Sequence, residues 1–477
     1  MTHHTPAVFG FGSYRVNDTN SVHEAALRHA LSCGVSIIDT STNYTNGSSE
    51  RLIGRVLADT TFVASLPSPP VIITKIGYAQ GHVLEMIAAQ KAMGQGYADV
   101  VEVADGLQHC IHPDFLDDML AMSLGRLQRG SVDVLLLHNP EYYFQVAQQA
   151  GTPVEEARAI FYDRITRAFT WMEHAVQQGR IKNYGISSNT FVHDADAYDH
   201  VSLERCLEIA AGISATHAFT HVQMPFNVIE HFAATTLNQA GGESTTLDVA
   251  RQHNLTVMIN RPLNALVGGD LIRLASHDIP LHTAGIHNVD SRIHALETEE
   301  HEVLQIVLNN PAHSPREIEA VNEMFKIAGA LCTSWNKFEG LIHWRDVKRS
   351  HLTPRLDAAI HYAEHSSDPD RVINYLRDLH ELLTDVETLY AAEENASLEE
   401  LRDAVADELG LPLDTPLQQI ALHAVRCTEG VNVVLVGMRT PEYVDDVLTT
   451  HDLPETTYHR TTWLRIADHL ARLSEPS

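Results

Sequence analysis

Short apolar runs recur along the chain, each followed by a longer amphipathic stretch, and the alternation happens eight times. The runs begin near residues 8, 36, 71, 132, 183, 219, 256 and 432, and they include the unbroken segments VIITK, VDVLLLH and VNVVLVG. Runs without polar alternation suit strands buried on both faces, as in a parallel sheet covered by helices. Helical periodicity is expected at 22–33, 48–58, 114–129, 155–178, 203–211, 247–253, 417–427 and 441–448. Eight strand–helix pairs predict an α/β chain closed into a (β/α)8 barrel, with a doubly wound open sheet as the rival.

Two segments break the rhythm. Residues 76–112 separate a strand from its helix by far more than a usual loop, and residues 266–414 form a much longer interruption. The second is mostly helical in pattern, at 314–330, 354–365, 369–392 and 397–409. Both follow strand C-termini, the end that carries the active site in such barrels. The expected organisation is therefore a barrel from 1–265 and 415–477, with a helical insertion at 266–414 over the catalytic face. That insertion would act as lid, substrate wall or oligomer contact.

The balance of 33 Lys+Arg against 62 Asp+Glu gives a formal charge of −29 over 477 residues. Such a surface repels phosphate backbones and anionic lipid, so neither nucleic acid nor membrane is expected as a partner. A bound anion would need a local cationic pocket. Five cysteines (Cys33, Cys110, Cys206, Cys332 and Cys427) are widely spaced without a CxxC, which suits reduced thiols in a cytoplasm. No apolar run is long enough to span a bilayer, and the first residues lack the pattern of a secretory leader. The 30 histidines are scattered and read as a mildly pH-sensitive surface. The run His109-Cys110-Ile111-His112 lacks a second ligand cluster at zinc spacing, so no metal is expected. Trp335, Phe338 and Trp344 read as core of the insertion, or else as an apolar substrate wall.

Four polar residues stand at or just past strand ends: Asp39 in IIDT, Tyr44 five residues on, Lys75 ending VIITK and His138 ending VDVLLLH. Their shared chemistry is specific. A free phenol has a pKa near ~10, too high for ready proton transfer at neutral pH. A neighbouring ammonium is expected to lower it. Aspartate beside the lysine keeps that ammonium charged and aimed, and a histidine can hydrogen-bond a substrate oxygen. The set is an acid–base centre for a carbonyl or an alcohol, suited to hydride transfer.

In this order the sequence resembles the aldo-keto reductase superfamily. The resemblance lies in FGFGSYRV (9–16), in GVSIIDTSTNYTNGSSERLIGRVL (34–57) with Asp39, Tyr44 and Glu50 in register, in VIITK and VDVLLLHNP, in GRIKNYGISSN (179–189) and HVQMPFN (221–227), and in VVLVGMRTPEYVDDVL (433–448). It implies an NADP-dependent oxidoreductase, NAD being the other cofactor, acting on a small aldehyde, ketone or sugar. Tyr44 would be the proton donor, tuned by Lys75 and Asp39, and His138 would orient the carbonyl. Gly12, Ser13 and Tyr14 match the first strand-end turn of the cofactor site. Ser188, Asn189 and Gln223 match the groups that hold the nicotinamide carboxamide. Gly437, Met438 and Arg439 would cradle the adenosine phosphate, with Arg439 its cation.

Two stretches depart from the family pattern. Asn260-Arg261-Pro262-Leu263 stands where a Tyr-Ser-Pro-Leu-like stretch is usual, so tyrosine stacking is lost unless Arg261 covers the ring or meets the pyrophosphate. In Asp445-Asp446-Val447 the adenine-clasping Asn is missing and Asp446 alone remains. Two further readings follow. One is a nicotinamide-binding sensor or scaffold without turnover. The other is a sugar or polyol dehydrogenase preferring NAD.

Overall fold

The computed structural model describes residues 5–277, 279, 288–309 and 315–473. Eight strands form a closed parallel barrel in chain order. They are β1 (Val8–Gly12), β2 (Ile37–Asp39), β3 (Val71–Ile76), β4 (Val132–His138), β5 (Ile181–Ser187), β6 (Phe219–Pro225), β7 (Thr256–Asn260) and β8 (Val433–Val436). The open-sheet rival is excluded, because β8 pairs with both β7 and β1. The interior is filled by Ile73 of β3, Val134 and Leu136 of β4, Met258 of β7 and Val433 and Leu435 of β8, with Ile37 and Val71 packed against them. Each such side chain contributes about 1.5–3 kcal/mol by leaving water. Gly185 in β5 is required by close approach, since a Cβ there would lie 1.8 Å from the His221 carbonyl of β6.

Register decides what meets at the C-terminal rim. Gly12 pairs with Asp39, His138 with Ser187, and Ser187 with Gln223. The helices behind the strands begin where sequence chemistry allows. Pro113 opens Pro113–Leu127 with His112 as its cap, and Thr440 caps Pro441–Thr449 by accepting from the Tyr443 amide. Glu50, matched with the site block in the sequence, is instead a buried tie under the barrel wall. It accepts from Thr74 Oγ1, Ser123 Oγ and Arg126 Nε at 2.7, 2.5 and 2.7 Å.

The segment after β3 has its own order, an antiparallel sheet of Tyr78–Ala79, Leu107–His109 and Val101–Ala104 with the helix His82–Ala92. After β7 comes a hairpin, Asn264–Val267 with Asp270–Arg273. Its turn is Gly268-Gly269, both at positive φ, the backbone a two-residue hairpin demands.

The chain divides into two compact units, residues 1–275 with 402–477, and residues 276–401. The hairpin therefore belongs to the barrel unit. The second unit holds Val289–Leu308, Pro315–Phe325, Ala328–Leu331, Leu341–Val347, Thr353–Ala363 and Pro369–Ser397. Its core includes Val303, Phe325, Trp344, Tyr375 and Leu379, with Trp335 and Phe338 packed against it. The expected helix at 314–330 is two helices, broken at Lys326-Ile327. There Glu300, buried, accepts from the amides of Ile327, Ala328 and Gly329 at 2.9, 2.7 and 3.3 Å and from Tyr375 Oη at 2.9 Å. A carboxylate at these amides supplies the cap that the side chain of Ile327 cannot give the short second helix.

Candidate active site

Lys75 is the next-to-last residue of β3, and its side chain is fully buried. Its ammonium donates to Asp39 Oδ2 at 2.7 Å, to the Thr40 carbonyl at 2.9 Å and to Tyr44 Oη at 3.0 Å. Three protons meet three acceptors, so the ammonium is fully used. Tyr44 thus accepts from Lys75, and its own hydroxyl proton is left to point elsewhere. Asp39 is tied a second time, its Oδ1 accepting from Gln223 Nε2 at 2.9 Å. Gln223 in turn accepts from Ser187 Oγ at 3.0 Å and Asn260 Nδ2 at 3.4 Å.

The titration of Tyr44 differs from the sequence expectation. Burial raises its pKa, and the Lys75 charge opposes this without winning; the net shift is upward. The sequence revealed the ammonium but not the depth of the phenol. Burial also pulls on Lys75, yet the charges of Asp39 and Tyr44 leave its pKa above the ordinary value. His138 moves the other way. Burial first, then the Lys75 charge, hold its pKa well below the usual histidine range, so the ring is neutral.

His138 lies among aromatic edges, Tyr78 at 4.5 Å and Tyr44 at 6.0 Å between ring centroids. Tyr78 comes from the inserted sheet. Its hydroxyl accepts from Asn139 Nδ2 and donates to Tyr142 Oη, both at 3.0 Å. Tyr14 is exposed and meets Tyr44 edge-on at 5.2 Å. Ser13 is buried, donates to the Asp39 carbonyl at 2.7 Å, and accepts from Ser49 Oγ at 2.7 Å. At Gly12 a Cβ would lie 3.1 Å from the Val436 carbonyl.

The other matched residues share the rim. The Ser188 amide donates to the Gln223 carbonyl at 3.0 Å, and Ser188 Oγ accepts from the Thr190 amide at 3.1 Å. The Asn189 amide donates to Glu141 Oε1 at 2.8 Å. Glu141 was not legible in the sequence. It is buried, its Oε2 has no hydrogen-bond partner, and burial pushes its pKa up to about 7. Asn260 Oδ1 is likewise buried and unpartnered. Arg261 takes a left-handed backbone, φ 52°, and its Nη2 binds Glu230 Oε1 at 2.7 Å. Pro262 follows, and Leu263 accepts from the Leu274 amide at 2.9 Å, anchoring the hairpin. Asp446 accepts from Gln418 and Gln419 at 3.3 and 3.0 Å.

Gly437 and Met438 lead from β8 to Arg439, which two further arginines approach. Burial lowers the Arg439 pKa, and repulsion from Arg15 and Arg273 lowers it further. Among the described residues no ion pair involves Arg15, Arg273 or Arg439, although the chain carries −29. Arg15 lies inside a matched block, but only the fold brings Arg273 of the hairpin close enough to act on Arg439.

His109 and Cys110 do not form a metal group. His109 is buried and donates from Nε2 to the His138 carbonyl at 2.7 Å, and Cys110 Sγ donates to the Ala98 carbonyl at 3.4 Å. Two three-residue groups of metal-capable side chains lie in the helical unit instead, His294/Glu297/Cys332 and His361/Glu364/His365. No helix of the described residues is long and apolar enough to cross a membrane.

A family model described as the aldo/keto reductase family matches residues 8–263. No curated protein matches the chain. Among solved structures, an aldo-keto reductase of Bacillus halodurans in its holo form is 13% identical, with 97% of this chain and 91% of that chain covered and a TM-score of 0.44. A glycerol dehydrogenase of Gluconobacter oxydans is 15% identical, covering 98% and 93%, also at 0.44. An aldo/keto reductase of Klebsiella pneumoniae in complex with NADP and acetate is 18% identical over 54% of this chain and 64% of that one, at 0.32.

Proposed function

The chain belongs to the aldo/keto reductase family and is an NAD(P)-dependent oxidoreductase; we propose that it is an NADP-linked enzyme for a small aldehyde, ketone or sugar, with Tyr44 as the proton donor. The observation that carries this reading is the saturated ammonium of Lys75. With all three protons engaged, it fixes the Tyr44 oxygen and leaves that residue's own proton available. A raised phenol pKa keeps the proton on Tyr44 until a developing alkoxide demands it. The Lys75 charge then stabilises the phenolate that forms. His138, neutral, holds the substrate oxygen by hydrogen bond.

The nicotinamide cofactor would supply or take the hydride. The residues present suit such a group. Ser188, Asn189 and Gln223, with the unpartnered Asn260 Oδ1, offer the donors and acceptors a carboxamide requires. Arg439, Arg15 and Arg273 would hold the phosphate end, and a 2′-phosphate would relieve their mutual repulsion. Arg261, bound to Glu230, is a weak candidate for covering the nicotinamide ring. The NAD-preferring and non-catalytic readings have no such support.

Stopped-flow absorbance of bound NADPH mixed with a panel of generic aldehydes and ketones tests the reading. Oxidation of the cofactor within seconds is expected for at least one. Arg439→Ala should lower the preference for NADPH over NADH at least tenfold, while kcat with saturating NADPH holds. An absence of oxidation over many minutes would leave only cofactor binding.

A further inference from the structure

The helix Val289–Leu308 holds the segment around Ala328–Leu331 at several points. Glu300 binds the amides that open the short helix. Cys332 caps its other end, its amide donating to the Ala328 carbonyl at 3.0 Å. Just beyond, Trp335 Nε1 donates to Asp290 Oδ1 at 2.7 Å. Cys332 is thus fastened on both sides along the chain, and its sulfur reaches His294 and Glu297 of the long helix.

Residues three apart share a helix face, so His294 and Glu297 point the same way. His294 Nδ1, Glu297 Oε2 and Cys332 Sγ form a closed triangle. Its edges are 3.5 Å from nitrogen to oxygen, 3.6 Å from nitrogen to sulfur and 3.2 Å from sulfur to oxygen. The short edge is the thiol donating to the carboxylate. The nitrogen–oxygen edge is too long for a hydrogen bond, yet the nitrogen stands almost equally far from both other atoms. Ligands of one ion are spaced in that way. Zinc bonds of about 2.0–2.2 Å to nitrogen and oxygen and about 2.3 Å to sulfur, at tetrahedral angles, put three donors roughly 3.3–3.7 Å apart. Two edges already lie in that range, and the third has to open by a few tenths of an ångström.

The donor types agree with the spacing. A thiolate and a carboxylate bring two negative charges to a divalent cation, and among the described residues no lysine or arginine pairs with Glu297. Thiolate with imidazole selects zinc over magnesium or calcium. His301 spends Nδ1 on the Glu297 carbonyl at 3.1 Å, and His294 is exposed, so the fourth position opens to water. Cys332 is 35 residues from Glu297, outside any zinc spacing legible in the sequence. The second group, His361, Glu364 and His365, has no thiol, is exposed throughout and stands on one helix end.

We propose that His294, Glu297 and Cys332 bind one zinc ion, with water in the fourth place, and so tie the helix Val289–Leu308 to the segment that follows Ala328–Leu331. On binding, bonds form from the metal to Nδ1, Oε2 and Sγ, the S–H bond breaks, and its proton passes to solvent. The site stands independently of the oxidoreductase reading.

The test uses the full chain, reduced and stripped of metal with a chelator. Cobalt(II), which adopts the geometry of zinc and absorbs light, is titrated in. One equivalent should bring a thiolate-to-cobalt charge-transfer band in the near ultraviolet and the intense visible bands of a four-coordinate ion. Added zinc should abolish both, and magnesium should leave them. Cys332→Ser should remove the charge-transfer band. His294→Ala and Glu297→Gln should each weaken cobalt binding by about a hundredfold or more, since loss of a group behind a ligand already costs ~10–100-fold. His361→Ala combined with His365→Ala should leave the thiolate band unaltered. No charge-transfer band in the unmodified protein, or one that survives Cys332→Ser, overturns the proposal. Cobalt affinity that ignores both His294→Ala and Glu297→Gln overturns it as well.

Discussion

Each unit of the molecule buries a carboxylate, and the two are partnered in opposite ways. Glu300 of the helical unit is met by backbone amides and a phenol, all neutral, and the amide contacts start a helix. Asp39 of the barrel is met by a charged lysine and by Gln223, and the lysine reaches on to Tyr44. A buried ion pair is poor evidence of stability, because desolvation offsets most of its attraction. The difference between the two units is therefore one of purpose. The Glu300 arrangement ends in a closed core. The Asp39 arrangement ends in a phenol with a proton to spare.

The sharpest way to break this contrast is Tyr44→Phe. It removes one oxygen and leaves Lys75 and Asp39 paired. Turnover should fall about a thousandfold, the scale of a lost general acid, with the dissociation constant for NADPH unchanged. Steady-state rates alongside fluorescence titration measure both. Wild-type turnover would remove the distinction between the units.

Glu300→Ala tests the other side. Losing the carboxylate strands three amides and the Tyr375 hydroxyl, at a cost of about 3 kcal/mol. Hydrogen exchange read by mass spectrometry should accelerate across 289–397 and stay unchanged in the barrel strands. Uniform acceleration would mean that the two units do not unfold separately.

Glu141 gives a third measure, smaller and dependent on pH. Burial raises its folded pKa to about 7, above the value of an unfolded carboxyl. The sign follows from linkage. Its stabilising contribution is whole below the unfolded pKa and is lost as pH climbs through about 7. Urea unfolding at pH 5 and pH 8 should show the wild type losing up to about 3 kcal/mol more than Glu141→Gln over that interval. His109, which burial depresses to about 4, acts in the acid direction in both proteins and cancels from the difference.

The barrel strands were legible in the sequence because a strand buried on both faces must be apolar at every position, as in VIITK and VDVLLLH. Asp39, Lys75 and His138 stood out for the complementary reason, as charged or polar residues closing apolar runs. The hairpin after β7 was absorbed into the helical insertion, since its Gly268-Gly269 turn is short and its flanking strands are four residues each. The helix Val289–Leu308 was also not anticipated, its face of Val289, Ile293, Leu296 and Val303 being widely spaced among acidic residues. Ser41, Glu141 and Arg273 stayed hidden for another reason. A serine or a glutamate in a loop is ordinary. What marks these residues is a neighbour far away in sequence: His138 for Ser41, the Asn189 amide for Glu141, and Arg439 for Arg273.

Strand β8 is the last plank of the barrel, and it enters the chain only after residues 276–401 have been made. On a ribosome adding ~5–20 residues per second, the delay between the end of β7 and the arrival of β8 is roughly 10–35 s. For that interval the nascent sheet has two raw borders, β1 and β7, each ready to pair with any passing strand. Apart from the short hairpin after β7, the described residues made in that interval form helices, which fold from local contacts and leave those borders to wait.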